Sequence, residues 1–311
     1  MTYGAHADSG ELVPALGWGR VFTAWTLEPV ALLVVLVIGC FYAAGVWSLR
    51  RRGDTWSRWR IASFLGGLGW LVVATSSSLA TYDTVLLSMH MVQHMVLSMV
   101  APIFLALGAP VTLALRTMPR RPRRALLAVL HSRVAATMAF PAVALALFIV
   151  SPWALYFSGW YQATLESAAL HDLLHLHFVL VGCLFFWPLL GLDPVPGRIA
   201  YPFRMLTVFA TLPFHAFLGV TIMSMQTVIA GDWYYAFDRT WPPNPADDQY
   251  LAGGILWGAG DVVGLVIFGV LFVQWVGESS KEAAREDRRL DRAEAAEAAD
   301  KAAHGVKFSR K

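Results

Sequence analysis

Residues 29–47 read PVALLVVLVIGCFYAAGVW, a stretch with no charged position. A helix rises about 1.5 Å per residue, so such a run crosses most or all of a ~30 Å hydrocarbon layer. Comparable runs recur over residues 61–80, 85–107, 134–157, 169–190, 203–229 and 251–276. Inside a bilayer the backbone must satisfy its own hydrogen bonds, and a helix does this within one segment. The reading is an all-α membrane protein of about seven transmembrane helices, with the lipid bilayer as its solvent. Composition agrees, since 57% of the 311 residues are hydrophobic and 14% are charged, against about 45–50% and about 25% in soluble domains. A soluble enzyme is excluded, and no nucleic-acid partner is expected.

The charges are sorted along the chain. Arg50, Arg51, Arg52, Arg58 and Arg60 follow the first run; Arg116, Arg120, Arg121, Arg123, Arg124 and Arg133 follow the third; Arg198 and Arg204 follow the fifth. The alternate segments hold Arg20 and Arg239 among Asp8, Glu11, Asp83, Glu166, Asp232, Asp238, Asp247 and Asp248. Basic loops mark the cytoplasmic side, so the N-terminus is expected outside and the C-terminus in the cytoplasm. Three parts follow: an extracytoplasmic segment 1–28, a seven-helix domain 29–277 and a charged tail 278–311. From Ser279 the tail is rich in helix formers of nearly balanced charge, and reads as a solvated helix or a disordered segment. No basic n-region precedes the first run, so it is expected to stay as an anchor. Cys40 and Cys183 both lie in apolar runs and form no disulfide framework. The stretch GDWYYAFDRTWPPNPADDQY, residues 231–250, carries Trp233, Tyr234, Tyr235 and Trp241 and reads as an interfacial aromatic belt or a docking surface. Glycines at 66–69 and at Gly254, Gly258, Gly260 and Gly264 read as helix-packing positions.

An ionisable side chain near the middle of a span costs about 2.5–3.5 kcal/mol, which makes each one a functional candidate. Six of the nine histidines fall in the runs: His90, His94, His171, His175, His177 and His215. In HMVQH and HDLLH the histidines are four apart, so each pair shares a helix face about 6 Å apart. Both pairs lie near the outer ends of spans running in the same direction, hence at matched depth. His215 is nearer the midplane and, with Asp261 on the last span, forms a deeper layer of the same polar track. His177 lies about 200° around the helix from His175 and is left out of the site. Asp172, three residues before His175, suits the carboxylate that orients a metal-binding imidazole. Met91, Met95 and Met99 repeat beside the first pair, and Met223 and Met225 fall in the outer half of the sixth span. Thioether with imidazole suits Cu(I), although methionine also fills gaps in ordinary cores. A metal or haem site is the reading.

At these residues the chain resembles the multi-pass CtaG family of cytochrome c oxidase assembly factors, distinct from the single-span copper chaperone of the same name. The likeness rests on HMVQHMVLSMVAPIFLALGAP (90–110), LHDLLHLHFVLVGCLFFWPLLGLDP (170–194), LPFHAFLGVTIM (212–223) and DQYLAGGILWGAGD (248–261). The resemblance implies a protein of the bacterial cytoplasmic (inner) membrane that helps place copper in the large subunit of the oxidase. It carries the family's histidine positions onto His90, His94, His171, His175 and His215, with Asp261 on the last helix. It further implies two partners, that large subunit and a separate extracytoplasmic copper donor, and no turnover of its own. Other chemistries fit the same residues. A b-type haem carrier would use histidines of two helices as axial ligands. An intramembrane zinc hydrolase would pair three ligands with an activated water, with Ser76, Ser77, Ser78 and Asp83 as partners. Proton or ion transport would use the His and Asp track.

Overall fold

A computed structural model describes residues 14–194, 200–237 and 239–308, with side chains up to residue 296. Asp8, Glu11, Arg198 and Asp238, four of the charges used to orient the chain, lie outside the described residues. Every regular element among the described residues is helical: α1 (Trp18–Thr23), α2 (Pro29–Arg51), α3 (Arg58–Ser76), α4 (Ser78–Tyr82), α5 (Leu87–Leu107), α6 (Pro110–Thr117), α7 (Arg120–Leu130), α8 (Arg133–Met138), α9 (Pro141–Tyr156), α10 (Trp160–Glu166), α11 (Ala168–Leu190), α12 (Tyr201–Ser224), α13 (Gly231–Ala236) and α14 (Pro245–Phe308). Among the described residues six helices are long and apolar enough to cross a membrane, which makes seven spans if one bent pair of helices counts as a span.

That pair stands where a span is expected over 134–157. Pro141 sits in the first turn of α9, where its missing N–H costs nothing, so the run starts afresh there and α8 stays separate. At Gly159 the chain turns, and α9 and α10 meet at 70°. The bend brings Tyr156 and Tyr161 together inside the bundle, 3% and 0% exposed. The sixth run also ends earlier than its hydropathy suggests, because Met225 is extended. The backbone groups released there are taken up by Gln249, which accepts from Ile229 N (2.7 Å) and donates to the carbonyls of Ile222 (3.3 Å) and Thr227 (3.1 Å). At the other end no helix break marks position 277, since α14 runs on as one helix of 64 residues.

The most enclosed span is α5, which packs on α3, α11 and α14. Just past His94 it widens into a π-helical turn at Val96–Val100, a feature frequent at functional sites. Opposite this turn stands Gly182 of α11, where a Cβ would fall on the Ser98 carbonyl and on Pro102. A second close approach joins α12 to α14: a Cβ on Gly219 would lie 2.5 Å from the Gly253 carbonyl oxygen, and one on Gly253 would lie 2.6 Å from that of Gly219. Among the glycines singled out by sequence, Gly67 and Gly260 meet Leu105 and His215, while Gly69, Gly254 and Gly258 face open space.

Charged side chains close helix ends across the bundle. Asp248 accepts from the Leu87 and Ser88 amides (2.6 and 3.3 Å) and from the Ser88 hydroxyl (2.5 Å), capping α5 from α14. Asp193 does the same for α6, accepting from Val111 N (3.2 Å), Thr112 N (2.7 Å) and Thr112 Oγ1 (2.6 Å), and it also holds Trp187 Nε1 (2.8 Å). Arg204, 7% exposed, donates to the Leu189 carbonyl at the C-terminal end of α11 (3.2 Å), where a cation meets the negative end of the helix dipole.

If the two glycines set the α12–α14 distance, Gly219→Leu is expected to destabilise the protein by about 1–3 kcal/mol through overpacking. The measurement is the melting temperature in detergent, with Gly254→Leu as the control at open space. Equal melting temperatures for the two variants would show that the glycine contact does not hold the pair together.

Candidate metal centre

The break between α3 and α4 begins the site. Ser77 leaves the helix in an extended conformation, donates through Oγ to the Val73 carbonyl (2.5 Å) and accepts from Leu79 N (3.3 Å). The short α4 then ends on Asp83, whose carboxylate is fully buried. A charge without water must be paired, and two imidazoles of α11 meet it. His171 Nε2 donates to Asp83 Oδ2 at 2.9 Å, and His175 Nε2 lies 3.7 Å from the same oxygen. The donor atoms of Asp83, His171 and His175 all lie within 4.8 Å of one another.

Gln93 of α5 completes the arrangement. Its Oε1 accepts from His175 Nε2 (3.0 Å) while its Nε2 donates to the Ala74 carbonyl (2.9 Å), so the second bond fixes which end of the amide faces the histidine. The other carboxylate oxygen, Asp83 Oδ1, is buried and has no hydrogen-bond partner. An open carboxylate acceptor beside two imidazoles is what a cation would use. The residues therefore fit a small metal ion.

The second pair adjoins the first. His90 Nε2 and His94 Nδ1 share the Tyr156 hydroxyl at 3.2 and 2.9 Å; a phenol has one proton, so one imidazole donates and the other accepts. His94 stacks on Phe178 at 4.0 Å, and the His90 ring lies 4.9 Å from Tyr161 and 6.3 Å from His171. His90 Nδ1 is buried with no partner. Tyr161 in turn shares a 2.6 Å hydrogen bond with Tyr234 of α13.

The structure thus links four of the five histidines picked from sequence through shared hydrogen bonds and ring contacts, while the hydrogen bond and ring contact of His215 go elsewhere. His215 donates through Nδ1 to the Thr211 carbonyl (3.1 Å) on its own helix and packs on Phe148 and Gly260. Asp261 accepts from Trp257 Nε1 (2.9 Å), one turn earlier. Asp172 is exposed, and the carboxylate that bonds the histidines is Asp83, from a different helix. Met91, Met95 and Met99 belong to the apolar core, and Met223 lies over Gly253. His177 is half-buried on another face. In the serine run, Ser77 bonds to backbone as above and Ser78 Oγ donates to the Val21 carbonyl (2.9 Å).

The aromatic loop is only partly a belt. Tyr235 is exposed, but Tyr234 is buried against Tyr161, and Trp233 Nε1 donates to the carbonyl of Thr84, next to Asp83 (2.8 Å). Sequence reasoning missed Gln93, Tyr156 and Tyr161 as parts of the site. Gln93 was readable, since it is a lone amide between two histidines of an apolar run. The tyrosines were not, because only the bend between α9 and α10 turns them inward.

Residues 40–278 match the family model Caa3_CtaG, cytochrome c oxidase caa3 assembly factor. The chain is 38% identical over 281 residues to uncharacterised proteins of Mycobacterium bovis and Mycobacterium tuberculosis, and 35% identical over 279 residues to one of Mycobacterium leprae. Each alignment covers 88% of this chain and 42% of the relative, so the chain spans less than half the length of the curated relatives it matches. No solved structure matches it significantly. The family match takes in the break before Asp83, both histidine pairs and Tyr156, and so the chain belongs to the cytochrome c oxidase caa3 assembly factor family.

Proposed function

We propose that this chain assists assembly of cytochrome c oxidase by holding copper at Asp83, His171 and His175 and passing it to the copper centre of the large subunit. The observation that carries this reading is the buried carboxylate with one open oxygen and two imidazoles, their donor atoms within 4.8 Å. Imidazole suits copper, zinc and iron, and a carboxylate makes the set harder than a histidine–thioether one. The proposed ligands therefore exclude Met91, Met95 and Met99, which pack in the apolar core, and Met223, which lies over Gly253. Ligating imidazoles must be free of a proton at the binding atom, so binding through Nε2 displaces the protons now given to Asp83 and Gln93, to Nδ1 of the same ring or to solvent. Gln93 and Tyr156 position imidazoles rather than bind the ion.

The distribution of arginines supports a cytoplasmic location for the loops after α2 and α5, with the histidine end outside. On that orientation copper arrives from a separate extracytoplasmic donor and lies at the depth of a membrane-embedded oxidase, in the bacterial cytoplasmic membrane. His90 is packed closely by Tyr156, T-shaped at 6.0 Å, and by Tyr161, tilted at 4.9 Å, which favours a small ion over a porphyrin. Three protein ligands with an open position also suit zinc, and metal analysis separates the two.

Protein purified in detergent is expected to bind copper stoichiometrically and to show no Soret band. Asp83→Ala and His171→Ala should each weaken copper binding by at least about 10- to 100-fold, while His215→Ala retains it. Unchanged copper in both of the first two variants removes the copper reading; a Soret band that shifts on reduction replaces it with haem, and zinc in place of copper replaces it with a zinc site.

In cells lacking the chain, the isolated oxidase should carry less copper in its large subunit. Wild type should restore the copper and Asp83→Ala should not. A full copper complement without the chain would sink the assembly role.

A further inference from the structure

The loop between α13 and α14 lines an open cavity of about 610 Å³, whose walls include Tyr234, Arg239, Trp241 and Asp247. Arg239 is the unusual member. Both of its terminal nitrogens, Nη1 and Nη2, are buried and make no hydrogen bond. A guanidinium keeps its charge at any physiological pH and offers five donors in a planar fork, so leaving the two ends unmet is costly.

Among the described residues, the acids near Arg239 already accept other hydrogen bonds. Asp248 faces Arg239 electrostatically, but its oxygens are taken by Leu87 and Ser88. Asp247 accepts from Asn244 Nδ2 at 2.7 Å and from no arginine. What holds the guanidinium in place is the Trp241 ring, 5.0 Å from it, in a cation–π contact that orients the fork without using its N–H groups. Burial lowers the Arg239 pKa from its ordinary value, with Asp248 and Tyr234 opposing the shift. The cation is thus desolvated, oriented and short of an acceptor.

We infer that this cavity binds the phosphate of a phospholipid headgroup, with Arg239 as the bidentate partner. A guanidinium fork matches two phosphate oxygens. The surroundings favour a lipid over a free anion. Tyr235 at the cavity is 62% exposed, and α14 leaves it with Tyr250 and Leu251 at 60% and 51% exposed, followed by Val262, Leu265 and Val266 on the open side of the helix. That strip offers apolar surface for acyl chains directly beyond a phosphate seat, and amphipathic rings belong at headgroup level.

The test uses the full chain, purified in detergent and stripped of lipid. It is titrated with short-chain phosphatidylglycerol, with a diacylglycerol of the same chain length and with inorganic phosphate, and bound ligand is read by native mass spectrometry. Phosphatidylglycerol should bind, the diacylglycerol should not, and Arg239→Gln should bind phosphatidylglycerol about tenfold more weakly. Trp241→Leu keeps the charge but removes the ring beneath it and should weaken binding by a smaller factor, which keeps the test open if Arg239→Gln does not fold. Equal binding by wild type and both variants, or equal binding of the diacylglycerol, overturns the site. Inorganic phosphate binding as tightly as the lipid overturns the lipid as its source.

Discussion

A carboxylate taken out of water has to be neutralised by its immediate neighbours, and at Asp83 the organisation of the whole site follows from that constraint. The side chain has no exposed surface, so the groups that face it are not interchangeable. His171 supplies an N–H at 2.9 Å, His175 stands at 3.7 Å, and Gln93 keeps His175 turned toward the carboxylate. Removing one partner of a buried pair of this kind costs about 3–5 kcal/mol, because the other charge is left stranded. Two distant features of the fold serve the pairing. The extended Ser77 breaks the helix so that Asp83 turns inward, and Gly182 lets α11 come close enough to α5 for their histidines to face each other.

The same shortage of water explains how the helix ends are treated. A helix terminus exposes backbone groups with no partner of their own, and where protein or lipid surrounds it another element must supply one. Here Asp248 and Asp193 reach across to the amide ends of α5 and α6, and Arg204 reaches the carbonyl end of α11. Each contact joins segments distant in sequence, so each also fixes how two elements sit against each other. Asp248 is the more consequential. By capping α5 one turn before His90 it sets the height of the histidine helix, and it belongs to the helix that leads out of the Arg239 cavity. The aromatic loop adds Trp233 and Tyr234 to this support, through Thr84 and Tyr161.

Much of this was readable one helix at a time. Apolar runs of bilayer length mark five spans well and the sixth approximately, and the four-residue spacing of His90 with His94 and of His171 with His175 puts each pair on one face. The failures share a cause. The run over 134–157 is largely apolar, but Pro141 divides it and the chain turns just beyond it at Gly159, and hydropathy does not register a turn. Asp172 is near His175 along the chain, yet proximity in sequence on a helix says only which face a residue occupies, and that face is exposed. His215 looked like a deeper member of the track because depth can be counted along a span, whereas its direction depends on how α12 rotates against α9 and α14.

By itself, then, the sequence determined that this chain is a bundle of membrane-length helices and which ionisable side chains share a face, because hydrophobicity and helical periodicity are local properties. Only the tertiary structure decided which faces meet. It placed Asp83, delivered by a helix break, between two imidazoles of another helix and turned Tyr156 onto both His90 and His94. It also left Arg239 beside a cavity without an acceptor. Those outcomes depend on close approach at a few glycines and on where each buried polar group can find a partner, and neither is encoded in any single stretch of residues.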